Sequence, residues 1–448
     1  MTAQAVNLRQ RRGACPGLSA PMPTGDGLLV RLIPIGTVPL AAFSMLYAAA
    51  RTHGNGVIEV TARGSIQVRG LNAASAPRFA AAVAALGIAA EDGVPVHSNP
   101  LAGLDAEEIL DAGARAADLR RALAGTSLAA RLAPKVSIAI DSGGGLSLDE
   151  LAADVRLCAE ATNNGVALRV GVAGDAARAT QLGMVAPNNG VEGAMRLLEV
   201  IARYGRDARA RDILAAEGVA GFRSTLADLL LIPARPREGG DSEMDSRLRG
   251  NERIVEDARH IRRQAIGQHT LRDESLAYGI GLAFGHSDAV ALECLTEAAG
   301  TAGAIGIRAA PGRVLMIIGL KQEMSSSLIT AAERLGFIVR ADDPRRHVVA
   351  CAGAPICSSA HIAARAIAPA IAQASAPLLD RSLTIHISGC AKGCAHPEPA
   401  ALTIVGTPSG CALIADGSTR DAPYAQVSTN ELPAAIANFT REREASHV

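Results

Sequence analysis

VIEVTARGSIQVRGL, residues 57–71, alternates apolar and polar side chains on both sides of Gly64, so it reads as two strands, Val57–Ala62 and Ser65–Leu71, folded back around a turn. Before it, Gly27–Ile35 (GLLVRLIPI) reads as a strand and Pro39–His53 as an apolar helix; after it, Ala76–Gly87 reads as a second helix. The same order returns later in the chain. Tyr278–Phe284 reads as a strand and Ser287–Ala302 as a helix with Ser287 at its N-cap. Ala304–Ala310 and Val314–Leu320 read as strands around a Pro311-Gly312 turn, and Ser326–Gly336 as a helix. Both copies have the order β-α-β-β-α, most of a ferredoxin-like split unit.

A second kind of module follows each copy. The first holds PKVSIAID (Pro134–Asp141), a helix near Leu148–Asn163 and the strand Ala167–Ala173; the second holds LTIHISG (Leu383–Gly389) and the strand Ala400–Val405. The expected fold is therefore α+β, built as two related halves. Its expected segments are an N-terminal arm at 1–25, a ferredoxin-like repeat at 26–90, a first catalytic half at 91–233, a linker at 234–265, a second repeat at 266–340 and a Cys-bearing half at 341–448. The stretch Ala234–Gln264 is rich in charge, Gly and Pro and too poor in apolar residues to offset its ordering entropy, which predicts a flexible linker; an amphipathic helix at Glu252–Arg263 is the alternative.

Composition narrows the function classes. Hydrophobic residues make up 49 % of the 448, with aromatics at 2 % and no Trp, so the cores must be aliphatic. Formal net charge is zero, unlike a general nucleic-acid binder. Only Lys135, Lys321 and Lys392 are lysines. The N-terminus has no apolar signal region and no apolar run reaches membrane-span length, which predicts a soluble, cytoplasmic protein without membrane partners.

Eight Cys in a reducing compartment are a poor disulfide framework, and four of them cluster in two pairs. Cys351 and Cys357 (CAGAPIC) flank five residues; Cys390 and Cys394 (CAKGC) flank three. Thiolates are soft ligands for zinc or for an iron–sulfur cube. The five-residue loop is wider than the usual structural zinc knuckle and favours the cube, while zinc and packed free thiols stay open as alternatives. Gly353, Gly389 and Gly393 would let backbone N–H groups approach sulfur. Cys158 and Cys294, in helical patterns, and Cys411, in a strand-like run, read as small core hydrophobes; Cys15 reads as a residue of an exposed terminus. His386 alternates on a strand and reads as structural.

CAGAPIC, GCAKGC and VTARGSIQVRGL (Val60–Leu71) together resemble the cluster motif and Thr-x-Arg strand pair of the nitrite and sulfite reductase superfamily. Within it, RRGACPG, NPLAGLD (Asn99–Asp105) and SGCAKGCAHP are similar to the precorrin-3B synthases of aerobic cobalamin biosynthesis. The resemblance implies that Cys351, Cys357, Cys390 and Cys394 hold a [4Fe–4S] cluster, with Cys394 facing the tetrapyrrole, and that Arg63 and Arg69 meet tetrapyrrole carboxylates. Lys135 stands where the reductases place an active-site lysine; their second lysine is Ser137 here, and Ala395-His396-Pro397 replaces their Gly-Arg. Those departures count against oxyanion reduction.

The implied reaction is that of a monooxygenase: precorrin-3A, O2 and two reducing equivalents give precorrin-3B and water, with a hydroxyl at C20 and an acetate arm closed into a lactone. The implied electron donor is an NADH-dependent reductase or a ferredoxin. Lys135, Lys392 and His396 are the candidates for proton delivery or carboxylate binding. Arg131 and, more weakly, Arg169 are further carboxylate candidates. The alternatives are a sirohaem nitrite or sulfite reductase, an electron carrier and a structural zinc protein; an additional mononuclear iron stays open.

Overall fold

The computed structural model describes residues 16–91, 93–231, 263–376, 379, 383–396 and 398–446. Cys15, Pro397 and, except for their last residues, the Ala234–Gln264 segment and its candidate helix lie outside them. In chain order, the first repeat comprises β1 (Met22–Thr24), β2 (Gly27–Leu32), β3 (Val38–Pro39), α1 (Leu40–His53), β4 (Val57–Val60), β5 (Ile66–Leu71) and α2 (Ser75–Ala85). The module after it contains β6 (Val96–Ser98), α3 (Ala112–Ala124), α4 (Leu128–Arg131), β7 (Ile138–Asp141), β8 (Ala153–Thr162), β9 (Gly165–Gly174), β10 (Thr180–Val185), α5 (Gly190–Arg203), α6 (Ala210–Glu217) and α7 (Ala220–Thr225). The second repeat has β11 (Gly267–Thr270), β12 (Leu276–Gly281), β13 (His286–Asp288), α8 (Ala289–Thr301), β14 (Gly306–Ala310), β15 (Val314–Leu320) and α9 (Ser325–Arg334). The last module has β16 (Val348–Ala350), α10 (Ala364–Ala374), β17 (Ile385–Ser388), β18 (Ala400–Thr407), β19 (Gly410–Gly417), β20 (Ala425–Val427) and α11 (Leu432–Ser446).

Two compact units result. Among the described residues, one takes those between 91 and 231, 263–265 and 270–275; the other takes 16–90, 266–269 and those between 276 and 446, and so contains both repeats and the Cys-bearing module. Inside the latter, each repeat completes its sheet with a short strand of the other. The sheet orders are β1-β2-β5-β4-β13 and β11-β12-β15-β14-β3. His286 pairs with Glu59 and Asp288 with Val57, while Ile307 pairs with Val38. The alternating apolar residues Val30, Ile58, Val60, Ile66 and Val68 form one buried face, which shares a core with Phe43, Leu46 and Tyr47 of α1 and Leu292 and Leu295 of α8. The two hairpin turns also meet: Gly312 N–H donates to the Ala62 carbonyl at 3.0 Å. Gly64 has φ +77°, and a Cβ there would sit 2.8 Å from the Ala310 carbonyl carbon, so this turn needs glycine.

The later modules share one topology. β6, β7 and β8 run parallel, followed by antiparallel β9 and β10. β16, β17 and β18 run parallel, followed by antiparallel β19 and β20. Among the described residues no helix is long and apolar enough to cross a membrane.

Three local expectations are corrected. The Ala- and Leu-rich stretch expected as a helix near Leu148–Asn163 forms β8, a central strand between β7 and β9. There sheet pairing overrides helix propensity, and the buried Asp154 and Arg156 are satisfied locally. Asp154 accepts from Ser137 N–H and from Arg209, and Arg156 donates to the Leu148 carbonyl. Cys158 therefore lies on a strand, where burial pushes its thiol up to about 11. The N-cap of α8 is Asp288, whose carboxylate accepts from Ala291 N–H at 2.8 Å, while Ser287 belongs to β13. Cys294 is exposed on α8, not a core residue; Cys411 is buried on β19.

Candidate metal centre and its polar surround

Parallel strands direct their carboxyl ends to the same edge, where α/β sheets place their ligand-binding residues. β16 and β17 pair in parallel, and the first residues beyond them are Cys351 and Gly389. Cys351 N–H donates to the Ile387 carbonyl at 3.0 Å, and Gly389 N–H donates to Cys351 Sγ at 3.0 Å. His361 N–H donates to the Gly389 carbonyl at 2.7 Å, and Cys357 N–H to the Gly353 carbonyl at 2.8 Å, which folds the two Cys loops against each other. Lys392 Nζ donates to Ser359 Oγ at 3.1 Å and links the loops a second time.

All four thiols belong to this one locality. Burial raises the Cys351 thiol, backbone N–H groups of Gly389 and Gly353 oppose that, and Cys390 and Cys357 raise it further. Burial also raises Cys394, as do Cys351 and Cys390, against Lys392 and Arg69. Among the described residues no three His, Cys, Asp or Glu side chains stand where a single metal ion could take them all. The donor set fits the cube: four thiols, an N–H directed at sulfur, and bare glycine backbone against it. A Cβ on Gly25 would lie 2.5 Å from Cys357 Sγ, and one on Gly389 would lie 2.6 Å from Ala360 Cβ.

The cations around the thiols are not equivalent. Arg69 makes a two-pronged pair with Asp26, Nε at 2.8 Å and Nη2 at 2.9 Å, and approaches Glu59 at 3.5 Å. Burial alone would raise the Asp26 carboxyl, but the hydrogen bonds from Arg69 and Thr24 bring it below the usual carboxylate range. Arg365 also pairs with Glu59. Arg69, expected to meet a substrate carboxylate, is thus already held by two carboxylates. Arg63 sits on the turn between β4 and β5, bridged to Pro311 and half-buried.

Sequence reading missed Arg313, on the matching turn between β14 and β15. Its guanidinium is lowered to about 10 by burial and lies near His386 and His396. His386 is fully buried on β17 with neither ring nitrogen hydrogen-bonded. Burial, then His396 and Arg313, lowers it to about 4. His396 meets it edge to face, with centroids 5.7 Å apart. The signal for Arg313 was the repeat itself, which places an Arg on each hairpin turn.

The other unit carries the remaining candidates. Lys135 is exposed in the turn before β7. Arg131 is exposed and paired with Glu199 at 2.9 Å, and Arg169 is paired with Glu160. Ser137 is buried, its N–H donating to Asp154 Oδ2 at 3.0 Å. Where the Cys module has Cys351, this unit has Asn99, the first residue beyond β6.

Comparison with known proteins agrees with this architecture. Residues 20–86 match the nitrite/sulfite reductase ferredoxin-like half domain. The chain is 38 % identical over 432 residues to a precorrin-3B synthase of Sinorhizobium sp, covering 96 % of this chain and 88 % of that one. It is 24 % identical over 376 residues to a ferredoxin–nitrite reductase of Synechococcus elongatus, covering 78 % and 70 %. The solved structure of the Mycobacterium tuberculosis NirA protein superposes with a TM-score of 0.70 at 20 % identity, covering 92 % of this chain and 80 % of that one, and shares its fold.

Proposed function

The chain belongs to the precorrin-3B synthase family, within the nitrite and sulfite reductase superfamily, and from that premise we propose how its own residues serve the reaction. It is an oxidoreductase of aerobic cobalamin (vitamin B12) biosynthesis, a monooxygenase that converts precorrin-3A, O2, two electrons and two protons into precorrin-3B and water. One oxygen atom becomes the C20 hydroxyl, and an acetate arm closes the lactone. The observation that carries this reading is 38 % identity along 96 % of a chain that sets four thiols beside two paired parallel strand ends.

Cys351, Cys357, Cys390 and Cys394 would hold a [4Fe–4S] cluster, which supplies one-electron transfer when bound. Gly389 N–H stabilises the thiolate of Cys351, and Lys392 fixes the second loop through Ser359. Arg63 and Arg131 are the carboxylate-binding candidates, since a planar guanidinium matches a carboxylate in two prongs. In this reading Arg69 orients the strand pair beside Cys357 through Asp26 and would reach substrate only by giving up that pair. Lys135, Lys392 and His396 are the proton donors or carboxylate partners. The electron donor would be an NADH-dependent reductase or a ferredoxin.

A sirohaem-dependent nitrite or sulfite reductase is the second reading, favoured by the distant nitrite reductase relative. Ser137 counts against it, because its buried position offers no cation to an oxyanion. Anaerobic purification should give about four iron and four labile sulfides per chain. Incubation with precorrin-3A and isotopically labelled dioxygen should place one labelled atom in the product. A sirohaem absorption band with nitrite turnover and no precorrin-3A turnover would replace the first reading by the second.

A further inference from the structure

A cavity of about 350 Å³ lies beside the Cys351–Cys357 loop, within the unit that holds both repeats. Its apolar wall includes Phe284, Phe337 and Ile356. Its polar wall includes Arg365 of α10 and His286 of β13. The Arg365 side chain is 11 % exposed, and only Nη2 is engaged, by Glu59; Nε and Nη1 are buried without a partner. His286 Nδ1 is likewise buried without a partner. Phe284 holds a left-handed backbone (φ 58°), a strained state for an aromatic residue and one that collects at ligand sites.

Buried donors of a charged group left unmade are costly, so these nitrogens call for a guest. Burial and then Arg365 lower His286 to about 3, and its ring donates to the Phe284 backbone. The ring is therefore neutral, and a guest's donor facing the unpartnered Nδ1 would select the tautomer in which that nitrogen accepts. Glu59 shares the Arg365 guanidinium and Asp288 also lines the cavity, which disfavours a dianion such as phosphate. We propose that this cavity binds a small organic carboxylate with an apolar body and a neighbouring hydroxyl or amine, the carboxylate on Arg365 and the donor on His286 Nδ1. The guest is a free hydroxy- or amino-acid, because the acetate and propionate arms of a tetrapyrrole carry no such donor beside the carboxylate.

Calorimetric titration of the full chain, prepared anaerobically, with 2-hydroxy-4-methylpentanoate, 4-methylpentanoate and 2-hydroxy-4-methylpentanamide tests it. Saturable binding of the hydroxy acid is expected, about tenfold weaker for the acid without the hydroxyl and absent for the amide. His286→Phe should erase the hydroxyl preference and leave acid binding in place. Arg365→Gln should abolish binding, and Arg365→Lys, which keeps the charge if Gln fails to fold, should weaken it. Amide binding as tight as acid binding, no saturable heat with any probe, or hydroxyl preference intact in His286→Phe would overturn the site. Uroporphyrin III, whose arms lack the donor, should leave the hydroxy acid bound, and its displacement by uroporphyrin would overturn the assignment to a free acid. Because the readout is heat of binding, it does not depend on precorrin-3A turnover.

Discussion

Gly389 N–H donates to Cys351 Sγ at 3.0 Å, and the other unit repeats the same bond with different chemistry: Ser142 N–H donates to Asn99 Oδ1 at 2.6 Å. In each case the donor is the first residue after one parallel strand and the acceptor the first after its neighbour. Asn99 also donates to Asp141 Oδ1 at 3.2 Å, so the position that carries sulfur in one module closes a polar network in its counterpart. One backbone scaffold therefore serves either a thiol or an amide, according to a single side chain.

Replacing Gly389 by Ala should disturb the cluster more than the fold. The added Cβ meets Ala360 Cβ at 2.6 Å and comes to 3.4 Å of Cys351 Sγ. Iron and sulfide per chain should fall while far-UV circular dichroism is unchanged. Full iron content would show that the loop yields easily.

Asn99→Ala should cost about 2 kcal/mol, because Ser142 N–H loses its buried acceptor. A drop in the urea midpoint with iron content unchanged is the expected result. Loss of iron from this variant would contradict the assignment of the ligands to the Cys module.

Asp26→Asn leaves Arg69 with a neutral partner in place of its two-pronged carboxylate, at a cost of about 3 kcal/mol. The Asp26 carboxyl is lowered in the fold, so its contribution is complete above the unfolded value of 3.8 and is lost as pH falls below it. Wild type and variant should accordingly converge in melting temperature on acidification below that value. A difference constant down to the lowest pH at which both fold would exclude this pair as its source.

Lys135→Met should retain iron and sulfide, since the side chain is exposed, but lose product formation from precorrin-3A. Unimpaired turnover would remove Lys135 from the reaction.

His386 is depressed to about 4, so the fold prefers it neutral. Its contribution is present above the unfolded value of 6.5 and lost as pH falls toward 4. His386→Phe should flatten the stability profile in that window, read as urea midpoints at successive pH values; an unaltered slope would assign the dependence to other groups.

Much of this molecule is written in local patterns. The alternation around Gly64 and its counterpart at Pro311-Gly312 gave both hairpins, and the Cys spacings gave the four thiols. What depends on distant pairing was not legible. β3 and β13 are two and three residues long, too short for periodicity, and their partners lie in the opposite repeat. β8 reads as helix because Ala, Leu and Glu make up half of it, and only its neighbours in the sheet decide otherwise. Arg69 looked available because its partner Asp26 lies forty-three positions away. The orphaned nitrogens of His286 and Arg365 exist only where β13 and α10 meet a common cavity.

The reciprocal loan of β3 and β13 has an evolutionary corollary. Either repeat excised alone would present a bare strand edge on β4 or on β14, an invitation to aggregation. Its natural remedy is a second copy of itself, lending the same short segment back. A single-repeat gene product would consequently be viable as a symmetric pair, and joining two such genes end to end would free one module to keep its thiols while the other lost them.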